Sequence, residues 1–153
     1  MGPIKLNWSL SVPSGPNFFD TFGGARTSTG SAAASGTVTG SNIGATPENG
    51  EPLRRFVANA ISTVWFKWAA RSSGWVTFTT DGSLTPNGYS LDTVMGVYTG
   101  TSVGSLSAVA QDDDGGSGNT SSCRFYANKG MSYFICVGGY DGVVGTVKLT
   151  WSR

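Results

Sequence analysis

The stretch Leu91–Asp114, LDTVMGVYTGTSVGSLSAVAQDDD, contains two strand patterns, the turn between them and a run of three acidic residues. Thr93, Met95 and Val97 alternate with Val94, Gly96 and Tyr98, the period of two expected of a strand rich in β-branched and aromatic residues. Two glycines in Thr99–Gly104 interrupt that pattern. Leu106, Ala108 and Ala110 then resume it on one predicted face, and Asp112-Asp113-Asp114 runs into Gly115-Gly116. The reading is strand, turn, strand, acidic loop.

The same grammar extends outward in both directions. Strands are predicted over Gly36–Ser41, Thr63–Trp68, Trp75–Thr80, Asn119–Lys129 and Met131–Val137, with a closing strand at Gly145–Trp151. Gly130 is placed in a hairpin turn between Asn119–Lys129 and Met131–Val137, and Gly138–Gly142 in the last turn. Phe18, Phe19 and Phe22 are expected to cap one end of the molecule. In Val64–Trp68, parity sets Val64, Phe66 and Trp68 on one face as core, with Trp65 and Lys67 on the other and Trp65 half exposed. Together these segments predict an all-β, antiparallel, jelly-roll-like two-sheet sandwich of about eight to nine strands.

Composition agrees and narrows the function. A chain of 153 residues fits one domain able to bury its own core. Charged residues make up 12% against about 25% in an average soluble domain, yet five Trp, five Tyr and eight Phe supply core material that a disordered chain lacks. The net charge of +1, with basic residues scattered apart from Arg54-Arg55, offers no footprint for nucleic acid. The absence of histidine removes Ser-His-Asp and Cys-His catalysis and every His-containing metal site. No run is long enough to insert in a membrane, and the first residues lack the basic start and apolar block of a signal peptide.

A repeat links the two ends of the chain. Gly2–Ser9, GPIKLNWS, matches Gly145–Ser152, GTVKLTWS, at five of eight positions, namely the Gly, Lys, Leu, Trp and Ser. Ile4, Leu6 and Trp8 therefore repeat the face of Val147, Leu149 and Trp151. Residues 1–10 read as a strand, residues 11–16 as a linker with Pro13 and Pro16, and residues 17–153 as the domain. Either the chain comes from a tandem array of neighbouring repeats or one domain uses two like strands, or the first strand is exchanged into a neighbouring copy, giving a homo-oligomer or polymer.

Several of these segments carry a family resemblance. The strand ending Val97-Tyr98-Thr99-Gly100 and the acidic turn after it resemble the bacterial pre-peptidase C-terminal domain family. So do Gly44–Glu48 with Gly50-Glu51-Pro52, Thr63–Trp68, Ser73–Phe78, Phe125–Ala127, Tyr133–Ile135 and Gly145–Trp151. The similarity runs from about Asn17 to Trp151. It implies a β-sandwich acting as a non-catalytic accessory module of secreted or surface proteins. The family often has a histidine after Gly-Glu-Pro; Leu53–Phe56 stands there instead, so no ligand contact of that histidine carries over.

Candidate sites follow from residue chemistry. Asp112, Asp113 and Asp114, joined by Asp92 and by Glu48 and Glu51 from other loops, supply hard oxygen ligands suited to calcium. The alternative is a solvated turn whose carboxylates bind nearby backbone N–H groups. Asn17 with Asp20 is a lesser candidate. Trp65, Trp75, Tyr89 and Tyr140 form either a stacking platform for a carbohydrate ligand or ordinary packing. Cys123 shares parity with Phe125, whereas Cys136 lies opposite the Tyr133, Ile135 and Val137 face. A disulfide needs Cβ atoms within about 4.5 Å, so two reduced thiols are expected.

No cofactor other than calcium is implied. Two functions result. One is a non-catalytic structural module assembling in an extracellular, cell-surface or virion setting, such as a filament, capsid or tail accessory protein, by donation of its first strand. The other is a calcium-assisted carbohydrate- or protein-binding accessory domain of a secreted hydrolase.

Overall fold

The computed structural model describes residues 18–25 and 33–153. The strand expected over residues 1–10, the linker 11–16 and Asn17 lie outside the described residues. Eight strands follow in chain order: β1 (Ser35–Ser41), β2 (Ala60–Ala69), β3 (Gly74–Thr79), β4 (Thr93–Thr99), β5 (Ser107–Asp112), β6 (Ser122–Ala127), β7 (Ser132–Tyr140) and β8 (Thr146–Ser152). They form two antiparallel sheets of four, sheet I in the order β1-β8-β3-β6 and sheet II in the order β2-β7-β4-β5. The only α-helix among the described residues is a single turn, α1 (Leu53–Phe56), so no helix there is long and apolar enough to cross a membrane.

Alternation builds the core between the sheets. Val76 and Phe78 of β3, Phe125 of β6 and Val147, Leu149 and Trp151 of β8 face Val64, Phe66 and Trp68 of β2, Met95 and Val97 of β4 and Ile135 of β7. Trp151 fits because Gly36, its registered partner on β1, has no side chain: a Cβ there would lie 2.3 Å from the indole ring. The aromatic pairs Phe66–Trp151 and Phe78–Trp151, with centroids 5.8 and 6.0 Å apart, complete that corner.

Sheet II is buried on its outer face as well. Trp65, Val94, Tyr98, Phe134 and Cys136 form a second cluster with Phe22, Leu53 and Ala60. This corrects two expectations. The phenylalanines do not cap one end but wrap the β2 edge. Phe18 packs inside against Phe66, Phe19 exchanges backbone hydrogen bonds with Trp65, and Phe22 covers the outside at 5.3 Å from Trp65 and 4.5 Å from Phe134. Trp65, expected to be half exposed, is consequently 0% exposed.

Other expectations shift for topological reasons. β6 and β7 do not form a hairpin, since β6 pairs in sheet I and β7 in sheet II, and Phe125 meets Tyr133 across the interior at 5.0 Å. The connecting turn keeps Gly130 at φ +86°, where its N–H bonds the Ala70 carbonyl. Gly138–Tyr140 belong to β7, and the chain turns only at Asp141-Gly142. Leu106, Ala108 and Ala110 do not share one face. Val97 pairs with Ala110 but Tyr98 with Ala108, so Val109 is an extra, bulged residue and Ala108 turns to the outer side with Tyr98.

Cys123 sits in the inner core and Cys136 in the outer cluster, both free and buried. Burial pushes the Cys123 thiol up to about 12 and raises that of Cys136, so neither is a reactive thiolate at neutral pH. Gly36→Val forces the Trp151 ring out of its seat. Thermal or urea unfolding should show a loss of about 1–3 kcal/mol, and unchanged stability would remove the assigned role of Gly36.

Candidate functional site

Strand register assembles the acidic loop. Met95 pairs with Asp112, so the chain leaving β5 runs back alongside the start of β4 and brings Asp113 and Asp114 to Asp92. Carboxylate oxygens of Asp92, Asp113 and Asp114 lie within 4.8 Å of one another. With Asn119 and Tyr140 they line a hollow of about 280 Å³. Beneath it runs a buried hydroxyl relay: Thr80 Oγ1 is 2.7 Å from Thr93 Oγ1, which is 2.9 Å from Ser121 Oγ. The Ser121 hydroxyl also reaches the carbonyl oxygens of Thr93 at 2.7 Å and Asp113 at 2.9 Å, tying the loop to both sheets.

Two carboxylates outside the cluster hold the loop in shape. Asp112 accepts the N–H groups of Gly115 and Ser122, each at 2.8 Å. Asp81 accepts the Ser117 N–H at 2.8 Å and the Thr120 hydroxyl, and these hydrogen bonds hold its carboxyl below the usual range. Asp112 thus behaves as the turn reading expects. Of the three converging groups, Asp92 takes a side-chain hydrogen bond from Asn119, which opposes the rise in its pKa without cancelling it. Partial burial, then repulsion from Asp114, raises Asp113, and burial, then Asp114, raises Asp92. Asp113 Oδ1 is buried without a hydrogen-bond partner.

Glu48 and Glu51 stand elsewhere. Glu48 accepts the Phe22 N–H at 2.5 Å. Glu51, 3% exposed, lies under α1, where its oxygens accept the Thr63 hydroxyl at 2.9 and 2.8 Å and the Trp65 indole N–H at 3.2 Å. Burial raises its pKa against the pull of these donors. Asp20 is bound to the Thr46 N–H and hydroxyl at 2.6 and 3.1 Å.

The four platform aromatics do not gather. Trp65 is sealed in the outer cluster and cannot stack on a ligand, because Phe22 and Leu53 cover the sheet face that parity left open. Tyr140 lines the acidic hollow, and Tyr89 is exposed on the loop after β3. Trp75 is 53% exposed on the outer face of sheet I. Its neighbour there is Tyr126, edge-on at 5.8 Å, with the Arg124 guanidinium 4.4 Å over the indole. Tyr126 and Arg124 escaped the sequence reading. Their signal was the parity of β6, opposite to Cys123 and Phe125.

No family model, curated protein or solved structure matches the chain. The resemblance to the pre-peptidase C-terminal family rests on the quoted motifs.

The raised Glu51, Asp92 and Asp113 give a signed pH dependence. A carboxyl whose folded pKa exceeds its unfolded one stabilises the fold fully below the unfolded value, 4.5 for Glu51, and loses that contribution as pH rises through the folded value. The melting temperature of the parent protein should therefore fall as pH climbs from about 4.5. Glu51→Gln should flatten that slope, and Asp113→Asn should remove part of the remainder. An identical slope in Glu51→Gln would contradict the assignment to Glu51.

Proposed function

We propose that this protein is a non-catalytic structural module that assembles on or into a larger extracellular or virion-type structure, donating residues 1–10 as a strand to a neighbouring copy. One observation carries the reading. β8 lies inside sheet I with Val147, Leu149 and Trp151 buried, and residues 2–9 repeat its sequence with Ile4, Leu6 and Trp8 at those positions. A second segment with the make-up of an inner strand needs a sheet to join. The described residues form two four-stranded sheets.

Light scattering after size exclusion tests this on the full chain and on one lacking Met1–Leu10. The full chain should run as oligomers and the shortened one as a monomer. Monomers in both cases would end the proposal.

A second reading draws on the convergence of Asp92, Asp113 and Asp114: a calcium-assisted module for a carbohydrate or protein ligand, presented beside Tyr140. Calcium at about a hundred times its Kd adds about 2.7 kcal/mol, or about 5–10 °C in a domain of this size. The shift should vanish with chelator and in Asp113→Asn. No shift with calcium leaves the loop a plain acidic turn.

A further inference from the structure

The four sheet edges are not equivalent. β2 already takes Phe19, whose N–H and carbonyl bond Trp65 at 2.9 and 2.7 Å. β1 lies on that same side, where the Phe18 ring fills the space over Gly40. β6 is plugged by side chains, with the Ser122 N–H bound to Asp112 and the following Asn128 N–H to the Tyr133 hydroxyl, at 2.8 and 2.9 Å. β5 differs. Among the described residues, Ser107–Gln111 make no hydrogen bond to anything but β4. From Thr99 to Gln111 there is no charged residue and no proline, the usual guards of an exposed edge.

The bulge at Val109 opens this edge rather than closing it. By turning Ala108 outward it leaves a hollow of about 380 Å³ between α1 and β5, lined by Pro52, Arg55, Phe56, Leu106, Ala108 and Gln111. Phe56 is 43% exposed there and Ala108 is exposed. A strand laid against β5 would pair with its unused backbone groups and direct alternate side chains into that hollow. Residues 2–9 have the alternation required, Ile4, Leu6 and Trp8 on one face and Lys5, Asn7 and Ser9 on the other.

Resting on the strand-donation reading, we propose that β5 is the acceptor edge and that its occupant is residues 2–9 of a second copy. The chain enters the described structure at Phe18, on the β2 side of sheet II, whereas β5 is the opposite edge. From a position beside β2 to one beside β5 is five strand spacings of about 4.8 Å, or about 24 Å. The nine Cα steps from Ser9 to Phe18 reach about 30 Å fully extended, a straight-line reach that leaves little length to round the surface of the same molecule. Donor and acceptor on opposite edges make the contact head-to-tail, so copies add into rings or filaments and not only pairs.

Complementation tests this in the full chain. Leu6→Asp removes the donor and Ala108→Lys places a charge in the acceptor hollow, at an exposed position. Each variant alone should be monomeric by light scattering, and an equimolar mixture should give a 1:1 heterodimer and nothing larger. A monomeric parent protein overturns the assembly reading itself. A parent that assembles, a monomeric Leu6→Asp and an Ala108→Lys that still assembles overturn only the choice of β5. Should Ala108→Lys lose its fold, hydrogen exchange decides. Amides of Ser107–Gln111 should exchange at least tenfold more slowly in the parent assembly than in Leu6→Asp, and equal rates defeat the proposal.

Discussion

Sheet II is buried on both faces, and the rest of the molecule is arranged around that constraint. β4 and β7 at its centre carry apolar side chains inward and outward alike, so one side needs a partner sheet and the other needs cover. Sheet I supplies the first, with Trp151 set into the space over Gly36. Phe22, from the short 3-10 turn Phe22–Gly24, and Leu53, from α1, supply the second. Covering the outer face also takes the Trp65 indole out of water, and the buried Glu51 carboxylate accepts its N–H. That pairing explains how a carboxylate is retained in an apolar layer: an unsatisfied indole N–H beneath Phe22 would cost about 1–3 kcal/mol.

The acidic hollow is a by-product of the same frame. β4 and β5 are adjacent and antiparallel, so the start of one lies beside the end of the other, and Asp92 meets Asp113 and Asp114. The carboxylates that shape the loop, Asp81 and Asp112, spend their oxygens on backbone and hydroxyl donors. In the hollow Asp113 Oδ1 has no such partner, and partial burial, then mutual repulsion, raises Asp92 and Asp113. One run of three aspartates therefore holds two kinds of group. Asp112 stabilises a turn, and its two neighbours, together with Asp92, concentrate charge.

Each edge of the sandwich is also treated differently. Phe19 occupies β2 and side-chain oxygens close β6, whereas β5, bulged and uncharged over Ser107–Gln111, faces outward. Edges in single-domain proteins are normally guarded. The proposed strand donation gives the unguarded edge and the repeat of the β8 sequence at residues 2–9 a common physical account.

The alternation of apolar residues determined by itself that the chain makes short antiparallel strands, which residues of β2 and β8 form the inner core, and that Cys123 and Cys136 stay apart. Period-two patterning fixes which side of a strand a residue is on, and that is local information. Tertiary structure decided what lies over each side. It buried Trp65, placed β6 and β7 in different sheets, bulged β5 at Val109 and separated Glu48 and Glu51 from the aspartates. Each of these depends on contacts between segments far apart in the chain, Phe22 with Phe134 and Phe125 with Tyr133 among them, and no local period encodes such a meeting.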